Sequence, residues 1–75
     1  MNKYTVKIGD VNSPVWGPPI EAKGFKEVKT IILDQIENLD PLNSSDEGRE
    51  AYRNRFRGQP IFAKLSSTNN NFIEI

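Results

Sequence analysis

The fold of this chain is decided by residues 25–39, FKEVKTIILDQIENL, where apolar residues recur with the period of a helix. Spaced at i, i+3, i+6, i+7, i+11 and i+14, they form one broad stripe: Phe25, Val28, Ile31, Ile32, Ile36 and Leu39. Gly24 is an acceptable N-cap, and Asp40-Pro41 ends the segment because the residue before a proline is disfavoured in the α region. We predict a helix here, with its stripe supplying most of the core.

On both sides of this helix the apolar period changes to two, the period of a half-buried strand. Two such runs precede it, Tyr4–Ile8 and Ile20–Lys23, and the prolines before the second favour an edge position. Two more follow, Ile61–Leu65 and Phe72–Ile75, joined by a polar, turn-forming run. The pattern therefore predicts a sheet of three to four strands.

A second, shorter helix is predicted between the two pairs of strands. Ser44-x-x-Glu47 matches a capping box, in which the serine and glutamate side chains satisfy backbone N–H groups at the helix start. The helix is expected to run to about Arg57, since Gly58 and a proline close it. Its apolar face is thin and consists of Ala51, Tyr52 and Phe56.

The resulting order β-β-α-α-β-β predicts an α+β fold. Antiparallel strands with two helices on one face form a small two-layer sandwich. Seventy-five residues allow one core, so residues 1–75 are expected to form a single domain. A domain of this size has modest stability and no Cys for a disulfide, so a homodimer is a further prediction.

The composition excludes several classes of chemistry. The absence of Cys removes disulfides, thiolate zinc sites and thiol nucleophiles, and the absence of His removes the commonest general base and metal ligand. The paired serines, Ser44-Ser45 and Ser66-Ser67, lie where capping and turn formation account for them. No phosphate-loop, dinucleotide-binding or zincin motif occurs. We therefore predict a protein that is not an enzyme and has no cofactor.

Three carboxylates leave one alternative open. Asp34, Glu37 and Asp40 recur at i, i+3 and i+6, and oxygen ligands of this kind hold Mg²⁺. Helical spacing alone does not build a metal cage, so we interpret the three as a solvated acidic face and predict no metal site. The same residues are candidate contacts for a basic partner.

The ten basic and ten acidic residues cancel, but they are not evenly spread. Residues 1–33 carry five Lys against three acids, and residues 34–50, the acidic block, carry six acids against one Arg. Residues 51–75 carry four basic residues against one acid. This arrangement does not match the uniform basic footprint of a nucleic-acid-binding protein.

Three arginines recur at i, i+4 and i+8 along the second helix, namely Arg49, Arg53 and Arg57, with Arg55 nearby. Guanidinium groups in a line suit phosphates or a carboxylate-rich protein surface. Two of them also follow an acid by three residues, which favours local ion pairs. The line is either a binding surface or a set of such pairs.

Residues 15–19, VWGPP, place Trp16 in a rigid loop. A large aromatic ring on such a loop loses little entropy on binding, and tryptophan is enriched at the energetic centre of interfaces. The alternative is a lid, in which the indole folds back over a core too small to close by itself. Trp16 is thus either an anchor for a partner or part of the core.

The outward side of the predicted sheet is a further candidate surface. If Ile61 and Leu65 point inward, Phe62 points outward, and Phe72 does the same on the last strand. Exposed apolar patches often mark interfaces, and the last strand offers a free edge for pairing with another chain. The alternative is the ordinary unevenness of a small surface.

These observations favour a protein that acts by binding another protein. A stand-alone inhibitor fits the size, such as one carried by a phage or mobile element against a host defence or nucleic-acid-handling complex, with the acidic block covering a basic cleft. The alternative is a nucleic-acid-binding protein that uses the arginines of the second helix. The expected partner-binding residues are Trp16, Asp34, Glu37, Asp40, Arg49, Arg53, Arg55, Arg57 and Phe62.

The chain starts with no apolar leader segment, and its longest apolar run, Ile31-Ile32-Leu33, is far shorter than a membrane span. We therefore expect a cytoplasmic, intracellular protein with no membrane partner. The glycosylation sequon Asn43-Ser44-Ser45 is then expected to be a chance match. Eight Asn and eight Ile are typical of an AT-rich genome, such as that of a low-GC bacterium or its phage.

Overall fold

The computed structural model describes residues 1–42 and 44–75, which form two helices and a four-stranded antiparallel sheet. The sequon therefore begins at a residue, Asn43, that lies outside the described part of the chain. The elements in chain order are β1 (Asn2–Ile8), β2 (Ile20–Ala22), α1 (Phe25–Glu37), α2 (Asp46–Asn54), β3 (Ile61–Leu65) and β4 (Ile73–Glu74). The predicted α+β fold and its β-β-α-α-β-β order are confirmed.

The strands lie in the order β2-β1-β3-β4, so β1 and β3 are central and the predicted edge position of β2 is correct. Tyr4 lies opposite Leu65 and Ile8 opposite Ile61, which sets the register of the central pair. Helix α1 packs on one side of this sheet. Its stripe and the alternate strand residues form one core of buried side chains: Tyr4, Val6, Ile8, Ile20, Ala22, Val28, Ile32, Ile36, Ile61 and Ala63. Each large apolar side chain there contributes roughly 1.5–3 kcal/mol on burial.

Helix α1 ends at Glu37, earlier than the predicted end at Asp40-Pro41. Asn38 is the C-cap, and its side-chain amide donates a 2.8 Å hydrogen bond to the carbonyl of Asp34. Its backbone N–H is directed at the carbonyls of the same turn. The last turn is therefore closed by Asn38, before the proline acts.

Helix α2 begins one residue later than predicted. Ser45 is the N-cap, and its hydroxyl accepts a 3.1 Å hydrogen bond from the backbone N–H of Gly48. The capping box assigned to Ser44 and Glu47 is therefore wrong by one residue. The physical reason is the extended backbone of Ser45, which directs its hydroxyl toward the open N–H groups of the first turn.

Helix α2 has no buried residue, in contrast to α1. It ends at Asn54 and is followed by a turn in which Gly58 adopts a φ of 77°, in the left-handed region that favours glycine. Within residues 1–42 and 44–75, neither helix is both long and apolar enough to cross a membrane.

Candidate functional site

Arg57 connects the two helices. Its Nε donates to Glu37 Oε2 at 2.8 Å and its Nη2 donates to Glu37 Oε1 at 2.6 Å. The guanidinium therefore forms a bidentate contact with the last residue of α1. Its Nη1 donates to Glu50 Oε2 of α2 at 2.7 Å. Bidentate arginine–carboxylate pairs combine charge with fixed geometry. Arg57 therefore holds α2 against the C-terminal end of α1.

The other two arginines of the line are engaged in the same region. Arg53 Nε donates to the carbonyl of Leu39 at 2.8 Å, and its Nη1 donates to Glu50 at 3.2 Å. Arg49 pairs with Asp46 and reaches Asp40 at 3.5 Å. The structure thus brings the arginine line and the acidic block together. We call this set the arginine cluster; it consists of Arg49, Arg53, Arg57, Glu37, Asp40, Asp46 and Glu50.

Arg55 lies outside the arginine cluster. Its guanidinium carbon lies 5.9 Å from the centre of the Tyr52 ring, and its side chain is exposed. In the part of the chain that the structure describes, Arg55 forms no ion pair. Among the described residues it is thus the predicted arginine that remains available to a partner.

The contacts of Arg57 favour the charged forms of Arg57, Glu37 and Glu50. Hydrogen bonds from Arg57 hold the pKa of the Glu37 and Glu50 carboxyls below the ordinary value, and the same bonds raise the pKa of Arg57 further. Stable anions facing a stable cation do not exchange protons near neutral pH. The cluster is therefore suited to holding two helices together and not to acid–base chemistry.

Trp16 is placed as the lid alternative predicts. Its ring meets Phe56 edge to face at a centroid distance of 5.0 Å, and its indole N–H donates to Gln35 of α1 at 2.8 Å. Its backbone N–H donates to the carbonyl of Val6 in β1 at 2.7 Å. The half-buried indole joins β1, α1 and the turn after α2, and its polar atom already has a partner.

The outer sheet face is the side of the sheet away from α1, formed mainly by Lys3, Thr5, Lys7, Phe62, Lys64 and Phe72. The structure places Phe62 on this face, opposite Lys7 in the register of β1 and β3. Lys7 Nζ lies 4.6 Å from the centre of the Phe72 ring and Lys64 Nζ lies 5.9 Å from it. Aromatic rings and cations therefore alternate on this surface.

A groove beside β4 was not predicted from the sequence. It lies between α1 and the sheet, has a volume of about 310 Å³ and is lined chiefly by Lys29, Leu33, Phe56, Ile61, Glu74 and Ile75. We call it the β4 groove. The sequence feature that could have indicated this groove is Leu33. It is apolar but lies about 100° around the helix from Ile32, outside the buried stripe.

Most of the predicted site residues fall into three places. Arg49, Arg53 and Arg57 lie with Glu37 and Asp40 near the C-terminal end of α1, Trp16 covers the core, and Phe62 lies on the opposite face of the sheet. Arg55 lies apart from them. Asp34 is exposed on α1, and among residues 1–42 and 44–75 no three acidic side chains are grouped to hold a metal ion. No protein-family model matches the chain, and neither the curated proteins nor the solved structures include a significant match to it.

Proposed function

We propose that this protein is a binding module for another protein, and that the partner inserts apolar side chains into the β4 groove. The observation that carries the proposal is the incomplete cover of β4. Ala63 and Ile73 are paired on the core-facing side of the sheet, yet Ala63 is fully buried and Ile73 is 48% exposed. Helix α1 packs on β2 and β3, and the β4 groove lies beside β4, with Ile75 rather than Ile73 in its lining.

The walls of the β4 groove favour an apolar segment as the occupant. Leu33 of α1 is 49% exposed at one wall, and Ile61 and Ile75 of the sheet face it. Completing the burial of the half-exposed Leu33 contributes about 1 kcal/mol, which makes this side chain the first candidate for an energetic centre of the contact. Lys29 adds a positive charge at the α1 side of the groove, which favours a partner segment with an acidic residue beside its apolar ones.

The inhibitor hypothesis is a narrower form of this proposal. In it, a phage or mobile-element protein covers the basic cleft of a host complex with its acidic block. Glu37, Asp40 and Glu50 already face arginines, so this form depends on Asp34 and Glu47, which form no ion pair among the described residues. Binding in the β4 groove does not depend on an unpaired acidic residue, so we propose the groove rather than the acidic block as the contact surface.

The proposal is tested with a pair of matched substitutions. Leu33→Glu places a charge in the groove, and Leu42→Glu makes the same change at a side chain that is 92% exposed and lies outside it. Tagged wild-type protein captures its partner from a nuclease-treated lysate of the organism that encodes it, and the purified partner is then titrated by calorimetry. We expect Leu33→Glu to weaken binding at least about tenfold and Leu42→Glu to leave it unchanged.

Equal affinities of the two variants for the partner would show that the groove is not part of the interface. Recovery of nucleic acid without a protein would overturn the binding-module proposal. The predicted homodimer is a separate arm of the test. If sedimentation of the pure protein shows a dimer that Leu33→Glu alone dissociates, the occupant of the groove is a second copy of this chain.

A further inference from the structure

The lysines of the outer sheet face lack the carboxylate partners that the arginine cluster has. Within residues 1–42 and 44–75 every ion pair joins an arginine to an acid, and Lys3, Lys7 and Lys64 take part in none. These lysines lie on the central strands β1 and β3, whereas the acids of the same face, Glu21 and Glu74, lie on the edge strands. Glu21 lies directly opposite Lys3 and Glu74 directly opposite Phe62, so the face carries three lysines against two acids. We call its middle, around Lys7 and Lys64, the strip; it carries the excess of positive charge.

Two of these ammonium groups are held in place side by side. Lys7 Nζ donates to the carbonyl of Val11 at 2.8 Å, and Lys64 Nζ donates to the carbonyl of Thr68 at 2.7 Å. Both lie against the ring of Phe72. Each ammonium has three donors, so donors remain for a ligand, and each cation attracts an anion to its side of the ring.

Phe62 adds an aromatic surface within the strip. It lies opposite Lys7 across the two central strands, and Lys64 is the next residue of β3 on the same face. A ring flanked by cations matches the repeat of a single-stranded nucleic acid, where stackable bases alternate with phosphates. A duplex hides the faces of its bases and does not match this pattern.

We propose that the outer sheet face binds a single strand of nucleic acid, with Lys3, Lys7 and Lys64 contacting phosphates and a base stacking on Phe62. This goes beyond the proposed function, since it uses the side of the sheet opposite the β4 groove. It also moves nucleic-acid binding away from α2, where three of the four arginines are already paired. Three phosphate contacts predict that affinity falls about 20-fold between about 50 mM and about 200 mM salt.

The test uses fluorescence anisotropy with a labelled oligothymidylate of about 12 nucleotides. The double variant Lys7→Gln/Lys64→Gln removes two charges from the strip, and Lys23→Gln/Lys26→Gln removes two exposed charges elsewhere. We expect the first variant to lose about tenfold or more in affinity and the second less than about threefold, because only the first contacts phosphate directly. Leu33→Glu, which tests the β4 groove, is expected to bind the oligonucleotide like the wild type.

A second variant separates binding from folding. Phe62→Leu keeps an apolar side chain on β3 and removes the ring, so we expect an unchanged far-UV spectrum and an affinity about tenfold lower. In spectra of ¹⁵N-labelled protein the oligonucleotide is expected to shift amides of β1 and β3. The inference is overturned if the wild type does not bind, if both double variants lose affinity equally, if a duplex of the same length binds as tightly, or if the shifts fall on α2.

Discussion

The two helices of this protein are held in the fold by different forces. Helix α1 directs Val28, Ile32 and Ile36 into the core, where they are buried. Helix α2 buries none of its residues; the arginine cluster attaches it, together with the edge-to-face contact of Tyr52 with Phe56. Apolar burial is not weakened by charge screening and does not depend on ionisation, whereas exposed ion pairs are screened by salt and depend on the ionisation of their carboxylates. The comparison predicts one helix that is part of the cooperative core and one that opens separately.

The largest expected effect is that of Ile32→Asp. A charge at a fully buried position has no partner in the core, and such changes cost more than about 4 kcal/mol. That is comparable to the whole stability of a chain of this length, at about 0.05–0.15 kcal/mol per residue. We expect the variant to be unfolded at 25 °C by far-UV circular dichroism.

Leu33→Asp is the matched control, because the same charge is placed on the neighbouring, half-exposed residue of α1. It is expected to retain a cooperative melt. A folded Ile32→Asp variant would show that the stripe of α1 does not form the core.

The second effect concerns Trp16, which joins β1, α1 and the turn after α2. Trp16→Ala removes the ring that lies against Phe56 and the bond to Gln35, and a half-buried indole of this kind is worth about 2–3 kcal/mol. We expect a cooperative melt at a clearly lower temperature in a thermal scan. A melt identical to that of the wild type would support the anchor alternative for Trp16. Trp16→Phe keeps a ring, so its melting temperature is expected to lie between those of the wild type and Trp16→Ala.

A smaller and local effect is expected from Arg57→Gln. The change removes the contacts with Glu37 and Glu50 but leaves the buried stripe of α1 intact. Hydrogen exchange measured by NMR is expected to show faster exchange across α2 and unchanged protection of Ile32 and Ile36. Arg55→Gln, on the same helix but outside the arginine cluster, is the control and is expected to change neither.

The smallest effect is a pH dependence of stability that arises from the contacts of Arg57 with Glu37 and Glu50. The folded pKa values of Glu37 and Glu50 lie below their unfolded values, so the stabilisation by Arg57 is complete above about pH 5 and is lost as the pH falls through the folded values. In a carboxyl NMR titration, Arg57→Gln is expected to raise both pKa values. Equal pKa values in the variant and the wild type would show that these ion pairs do not form in solution.

The fold was predictable because burial is encoded in short-range spacing. The stripe of α1 and the alternation of β1 and β3 identify the core without any long-range information. The partner of Arg57 was not predictable, since Glu37 lies 20 residues away and the local rule considers only residues three or four apart. Ser44 and Ser45 are equally good caps by type, and the backbone selects between them.

The candidate surfaces also combine features that local sequence patterns predict with features that depend on long-range packing. Phe62 could be assigned to the outer face from alternation alone, but the pairing of its neighbours with Phe72 depends on the register of β4. The β4 groove depends on how far α1 extends across the sheet, which no local pattern specifies. The sequence does not decide whether Trp16 is an anchor for a partner or a lid over the core, because its contacts, Gln35 and Phe56, come from two distant segments.

The contact between Arg57 and Glu37 also has a consequence for the order of folding. The last turn of α1 contains no basic residue and ends on Glu37, where the helix dipole is itself negative. Its positive charge comes from α2, which reaches it only after the intervening segment has closed. We therefore expect the N-terminal half of α1 to form early with β1 and β3, and its last turn to form late, together with α2. Glu37→Gln is then expected to accelerate unfolding and leave the folding rate unchanged.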